Sequence, residues 1–172
     1  MEAVKQWIYE PGLPDSLPVP TTNRFKVIDK QVAKLNITAD GLNKVSADKW
    51  TTQEWLHFMK AIPQQLNQTQ MQALDKRFKF SQAQNSEIAH VWLLMSIKND
   101  FQPAFDRLIS YLNEIGRMKL IVPLYKAMSE SEKHKTLGKN IYMSARPGYH
   151  NLARFRIDPL FPDMKFDTED AK

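Results

Sequence analysis

Apolar residues recur at helical spacing along most of the chain, in short runs that end at proline or glycine. The first run places an apolar residue every three or four positions after Asn23, which is the pattern of one buried helix face. Its members are Phe25, Ile28, Val32 and Leu35. Later runs repeat this spacing, and none shows the strict alternation of a half-buried strand. The pattern predicts about seven short helices, which form three antiparallel pairs from Thr51 onward.

Polar residues mark several of the predicted helix starts. Thr51 with Glu54, and Thr69 with Gln72, fit the capping box, in which each side chain bonds a free backbone amide of the other. Asn85 or Ser86 caps the helix with the strongest apolar stripe. The predicted helix ends are Pro63 and Gly116, and Gly41 is predicted to end or interrupt the first helix.

Successive antiparallel helix pairs bury their apolar faces by stacking on one another. We therefore expect an all-α fold, a solenoid-like (HEAT- or armadillo-like) right-handed layer. The predicted segments are a connector at 1–23, a helical domain at 24–150 and an extended or partly disordered tail at 151–172. In the connector, Trp7, Ile8 and Tyr9 precede a Pro-Gly turn and further prolines. We expect these three side chains to pack onto another surface.

Composition narrows the class of protein. A length of 172 residues suits one domain with a core of its own. The absence of cysteine excludes disulfides and thiolate chemistry and suits a reducing compartment, so a cytoplasmic location is expected. No apolar run approaches the roughly 18–20 residues that a membrane-spanning helix needs, so no membrane association is expected.

The residue types that build catalytic centres do not come together in this sequence. The four histidines, His57, His90, His134 and His150, do not form the H-E-x-x-H zinc motif. His57 and His90 lie on predicted helices near aromatic residues, where packing or a hydrogen bond is favoured over metal ligation. A phosphate-binding loop and a nucleophile elbow are also absent. The sequence predicts neither a catalytic residue nor a metal or cofactor site in this chain.

Two cations at the start of a predicted helix are the exception. Arg117 and Lys119 follow Gly116. At a helix N-terminus each cation interacts unfavourably with the helix dipole, which destabilises the helix by about 0.3–1 kcal/mol. An arginine fork and a lysine charge together suit a carboxylate. In a regular helix the two side chains point in different directions. They converge on one ligand only if the first turn is irregular or the long side chains bend.

Seven short segments give the chain a resemblance to a known family. The segments are residues 7–14 (Trp-Ile-Tyr-Glu-Pro-Gly-Leu-Pro), 54–56 (Glu-Trp-Leu), 85–88 (Asn-Ser-Glu-Ile), 92–93 (Trp-Leu), 116–119 (Gly-Arg-Met-Lys), 123–125 (Pro-Leu-Tyr) and 146–150 (Arg-Pro-Gly-Tyr-His). In this order and spacing, the chain resembles the C-terminal helical domain of the zinc aminopeptidases that include leukotriene-A hydrolase and aminopeptidase B, as found in bacterial relatives. The resemblance covers nearly all of residues 4–150. The residues after His150 depart from the family pattern.

The resemblance implies a role in a larger enzyme. In this family zinc, its ligands and the general base lie in upstream domains, so zinc is expected in a catalytic domain outside this chain. The helical domain walls the active-site cleft, and its Gly-Arg-Met-Lys segment reaches into that cleft. By motif match, Arg117 binds the free carboxylate of a short peptide substrate and Lys119 assists. Epoxide hydrolysis is not carried over, because it depends on residues elsewhere.

A different class of function stays open on charge alone. The net charge of +5 permits a freestanding helical scaffold that binds an acidic protein or nucleic acid. Its contacts would be Lys26, Lys30, Lys34 and the basic region 133–139. Aromatic residues are not interleaved with these lysines, as base stacking would require, so nucleic acid is not expected.

Overall fold

The structure, a computed structural model, describes residues 2–12 and 22–166. These residues form helices, short turns and loops, without a strand. The helices are α1 (Glu2–Tyr9), α2 (Arg24–Val32), α3 (Ala39–Asn43), α4 (Thr52–Ala61), α5 (Gln68–Phe78), α6 (Ser86–Lys98), α7 (Phe105–Glu114), α8 (Met118–Ser129), α9 (Lys135–Ala145) and α10 (Asn151–Ile157). Single 3-10 turns occur at Phe80–Gln82, Gln102–Ala104, Arg146–Gly148 and Asp158–Leu160. None of the helices in this part of the chain is long and apolar enough to cross a membrane.

Most helices pack against the helix that lies two places later in the chain. Helix α4 contacts both α2 and α6, and α8 contacts both α6 and α10. In the other row α3 contacts α5, and α7 contacts α9. This arrangement of two stacked rows confirms the prediction of an all-α fold built from stacked helix pairs.

One continuous apolar core runs from α2 to the segment after α10. Its largest fully buried side chains are Trp92, Tyr111, Tyr125, Tyr142, Phe58 and Phe161. The buried polar tips of this core find partners. The Trp92 indole donates to the Ser81 hydroxyl at 3.0 Å, and the Tyr111 hydroxyl donates to the Ser86 carbonyl at 2.9 Å.

Two of the predicted helix boundaries need correction. The capping box at Thr51 and Glu54 is present, but the one predicted at Thr69 lies two residues earlier, where Asn67 pairs with Gln70. Gly41 does not end a helix, because it lies inside α3. A Cβ atom there would come within 2.0 Å of the Asn36 backbone oxygen, so this position is glycine because of close approach and not because of a turn.

The prediction of an extended tail from residue 151 is wrong for the part that the structure describes. Residues 151–157 form α10, whose side chains Ala153 and Ile157 are buried. Phe161, which follows the next turn, is completely buried against the core. The scattered apolar residues of this segment are therefore anchors. Residues 167–172 lie outside the described part of the chain.

The amino-terminal segment also differs from the predicted irregular connector. Residues 2–9 form α1, and Trp7, Ile8 and Tyr9 are 55%, 65% and 80% exposed. Their packing onto another surface stays a prediction. Residues 13–21, which hold the prolines that follow Pro11, lie outside the described residues.

Candidate functional site

Arg117 and Lys119 lie at the junction between α7 and α8. Helix α7 ends at Glu114, and Arg117 is the residue that immediately precedes α8. Its backbone is extended, with φ −71° and ψ 111°, so Arg117 is not part of the helix. Lys119 is the second residue of α8. Because Arg117 precedes α8 as its N-cap, its side chain does not follow the helical directions that would separate it from Lys119.

Both cations converge on one carboxylate, that of Glu87 in the first turn of α6. Arg117 Nη1 lies 3.2 Å from Glu87 Oε1. Lys119 Nζ lies 3.2 Å from both Oε1 and Oε2 of the same side chain. The ammonium thus contacts both oxygens, while the guanidinium uses one nitrogen. Since an arginine carries five N–H donors in a fixed fork, most of that fork is left for another acceptor.

The frame around this cluster is fixed by packing and by a helix cap. The Asn85 side chain accepts hydrogen bonds from the backbone amides of Glu87 and Ile88, at 3.0 and 3.3 Å. On α8, Leu120 and Ile121 are buried immediately after Lys119. Helices α6 and α8 pack directly against each other. The backbone positions of the anion and of both cations are therefore set by the core.

Pro123 lies inside α8 and removes one backbone hydrogen-bond donor from it. A proline inside a helix has no amide proton, so the carbonyl of Lys119, four residues earlier, cannot accept the usual helical hydrogen bond from it. This loss occurs at the residue that carries one of the two site cations.

The cluster lies at the surface, and its anion is its most shielded member. The side chains of Arg117 and Lys119 are 64% and 65% exposed, whereas that of Glu87 is 29% exposed. Exposed ion pairs contribute only about 0–1 kcal/mol each, because water competes for both partners. The cations can therefore accept a second anion at little cost.

His90 lies one helical turn after Glu87 and belongs to the same neighbourhood. Burial lowers the pKa of His90 below its usual 6.5, while a hydrogen bond with the Leu120 backbone and the charge of Glu87 act in the opposite direction. Its Nδ1 atom is buried without a hydrogen-bond partner among the described residues. A neutral imidazole at pH 7 thus borders the charged cluster.

The other histidines have structural contacts. His57 Nε2 lies 2.6 Å from Asp29 Oδ1, and its ring stacks on Phe25 with centroids 4.6 Å apart. His134 is buried, and its ring meets Phe105 edge to face. His150 accepts the Leu152 amide at the start of α10. In the part of the chain that the structure describes, no group of three or more His, Asp or Glu side chains is placed to hold a metal ion.

The lysines of the alternative scaffold function are separated into two groups. Lys26, Lys30 and Lys34 are exposed at α2 and just after it. In the second region Lys133 forms an ion pair with Asp100, and Lys139 forms one with Asp163. Since Lys133 and Lys139 already have anionic partners, that region offers less positive charge to an acidic ligand than its sequence suggests.

Glu87 was not among the predicted site residues. It lies at a helix start, where an acidic residue is already favoured by the helix dipole. One sequence feature could have identified it: segment 85–88 is among those that carry the family resemblance. Packing in the core does not require an acidic side chain at this position.

Comparisons with known proteins identify the family of this chain. A family model described as leukotriene A4 hydrolase, C-terminal, matches residues 50–160. Aminopeptidase B of Mus musculus is 29% identical, over 85% of this chain and 24% of the mouse protein. Leucine aminopeptidase 2 of Coccidioides immitis is 23% identical, over 91% of this chain and 26% of the fungal protein. The chain thus spans about a quarter of the length of these relatives.

A solved structure supports the fold. The structure of native yeast LTA4 hydrolase superimposes with a TM-score of 0.65 at 18% identity, covering 91% of this chain and 28% of the yeast chain. The family model also continues past His150 to residue 160. The prediction that the residues after His150 depart from the family is therefore wrong for 151–160, which agrees with the burial of Ile157.

Proposed function

The chain belongs to the family of leukotriene A4 hydrolase C-terminal domains, and on this basis we propose that it is the C-terminal domain of a zinc metalloaminopeptidase. In that enzyme it walls the active-site cleft and binds the free carboxylate of short peptide substrates. Zinc belongs to the catalytic domain of the parent polypeptide, outside this chain. The partners are that catalytic domain and the peptide.

The observation that carries this proposal is the convergence of Arg117 and Lys119 on one carboxylate. Glu87 has the same functional group as the C-terminus of a peptide, and both cations reach it at 3.2 Å. The unused donors of the Arg117 fork leave room for a second carboxylate. The high exposure of both cations supports an approach from outside the domain.

A fixed carboxylate-binding group explains how a helical domain contributes to peptide hydrolysis. It holds the far end of the substrate, so the distance from this group to the catalytic centre selects peptides of one length. Binding energy gained at the remote carboxylate aligns the scissile bond. Its loss lowers turnover as well as affinity, because alignment is realised in the transition state.

Replacement of Arg117 with alanine in the intact enzyme tests the proposal. In the proposed cleft of the intact enzyme the bond from Arg117 to the substrate carboxylate is shielded from water, where a charge-assisted hydrogen bond contributes about 1.5–3 kcal/mol. The kcat/KM for a tripeptide with a free carboxylate should therefore fall about 10- to 150-fold. Hydrolysis of the matching C-terminal amide should change far less. Lys30→Ala, which removes a charge from the exposed side of α2, is the control and should affect neither substrate.

Equal losses on the free acid and the amide would refute carboxylate recognition by Arg117. The N-terminal residue of both peptides should be the one that the wild-type enzyme hydrolyses fastest as a 4-nitroanilide. This choice keeps the comparison confined to the carboxyl end of the substrate.

The size of the native polypeptide tests the domain assignment separately. An antibody raised against this chain should detect, in the source cells, a band several times heavier than 20.0 kDa. A band at the mass of this chain would contradict the proposal and would favour the freestanding helical scaffold.

A further inference from the structure

We propose that Glu87 is a specificity-determining residue of the carboxylate site: it orients Arg117 and Lys119 and limits the site to ligands with a single carboxylate at that end. The inference rests on the proposed function and deepens it. The ligand class that it assigns is a short peptide whose C-terminal residue has an uncharged side chain.

The positioning part of this inference follows from the contacts. Arg117 lies outside α8 and Lys119 inside it, so the two side chains start in different directions. Glu87 holds the ammonium through both carboxylate oxygens and the guanidinium through one nitrogen. Without this shared anion, two long and exposed side chains would sample many rotamers. Glu87 therefore reduces the conformational entropy that a ligand must overcome.

Glu87 is itself held firmly enough to act in this way. Its backbone amide is bonded by the Asn85 cap, and the preceding carbonyl of Ser86 accepts the buried hydroxyl of Tyr111. Its side chain is less than half as exposed as those of the two cations. The cations thus shield the carboxylate, while most of their own side-chain surface stays exposed.

The specificity part follows from the charge of the cluster. Two positive charges and one negative charge leave one positive charge, which matches one carboxylate. His90 leaves this balance unchanged, because burial lowers its pKa and keeps the imidazole neutral at pH 7. A peptide ending in Asp or Glu brings a second carboxylate to the cluster. That group meets the negative charge of Glu87 and no unmatched cation.

The experiment measures kcat and KM of the intact enzyme for three peptides that differ only in the C-terminal residue or in its terminal carboxyl group. They end in Ala with a free carboxylate, in Asp with a free carboxylate, and in Ala amide. We expect the wild type to favour the Ala acid over the Asp acid. In Glu87→Gln, the ratio of the two kcat/KM values should shift toward the Asp acid by about tenfold, mainly through KM.

Two further variants serve as controls. One tests the side-chain length of Glu87, and the other tests the effect of removing a negative charge elsewhere on the domain. Glu87→Asp keeps the charge on a shorter side chain, so it should lower kcat/KM for both acids and leave their ratio near the wild-type value. Glu114→Gln removes an equal charge at the end of α7, where Glu114 pairs with Arg107 at 3.1 Å. It should leave the ratio unchanged.

The outcomes distinguish this inference from the proposed function. If the wild type prefers the free acid to the amide but Glu87→Gln leaves the ratio of Ala acid to Asp acid unchanged, the role of Glu87 is refuted and carboxylate binding stands. If the wild type treats acid and amide alike, the proposed function fails and the inference fails with it. A shift of equal size in Glu114→Gln would also overturn the inference, because it would show a general effect of charge.

Discussion

Replacement of Phe161 with alanine tests whether the residues after α10 belong to the folded core. Phe161 has no exposed surface, and its ring lies among Tyr125, Tyr142 and α9. A Cβ atom at Gly138 would come within 3.1 Å of its ring, so α9 approaches this side chain as closely as glycine permits. The substitution would therefore empty a site that several elements line.

The expected loss is large for a domain of this size. Replacing a buried phenylalanine with alanine costs about 3–5 kcal/mol, which includes the cavity that remains. Typical domains have a total free energy of unfolding of about 5–15 kcal/mol. For chains of 150–250 residues, about 2–4 °C of Tm accompanies each kcal/mol, so Tm should fall by about 6–20 °C.

Urea unfolding of the 172-residue chain, followed by tryptophan fluorescence, measures this loss. Phe155→Ala is the matched control, because Phe155 lies in the same segment and is 74% exposed. We expect the control to change the free energy of unfolding by less than about 0.5 kcal/mol. If Phe161→Ala costs as little as the control, the segment after α10 is not part of the core.

Two further predictions concern the start of the domain. Hydrogen bonds from the backbone and side chain of Thr51 lower the pKa of Glu54 below 4.5. A carboxyl group with a lowered pKa stabilises the fold above its unfolded-state pKa, and this stability is lost as the pH falls through the folded-state pKa. The midpoint of urea unfolding should therefore drop on acidification, and it should drop less in Glu54→Gln. Gly41→Ala should lower the free energy of unfolding by at least about 1–3 kcal/mol in the same assay, because its Cβ would overlap the Asn36 backbone oxygen. Gly148→Ala, with open space around it, should have a much smaller effect.

Long helices with a strong apolar stripe could be predicted from the sequence, and short ones could not. Helix α6 has 13 residues, long enough for helical spacing to repeat, and its cap is Asn85, one of the two residues predicted for that position. Helices α3 and α10 have 5 and 7 residues, too few for a helical period to repeat. They are held by tertiary contacts, such as the burial of Leu42 and Ile157, which no local pattern displays.

The misplaced capping box has a similar cause. Asn67 with Gln70 and Thr69 with Gln72 fit the same local pattern equally well. The Asn99 side chain accepts the Leu66 amide at 2.7 Å and so fixes the chain just before Asn67. A residue more than thirty positions away thus selects between two locally equivalent helix starts.

The candidate site was predicted only in part, for a physical reason. Arg117 and Lys119 are conspicuous in sequence because they oppose the helix dipole, whereas Glu87 agrees with it and so attracts no notice. Only the packing of α6 against α8 brings this acid to the cations. The same carboxylate that stabilises the start of α6 also neutralises half of the positive charge at the start of α8. A site of this kind is therefore defined by the net positive charge that is left after Glu87 has paired with the two cations. This net charge cannot be predicted from the sequence of either helix alone.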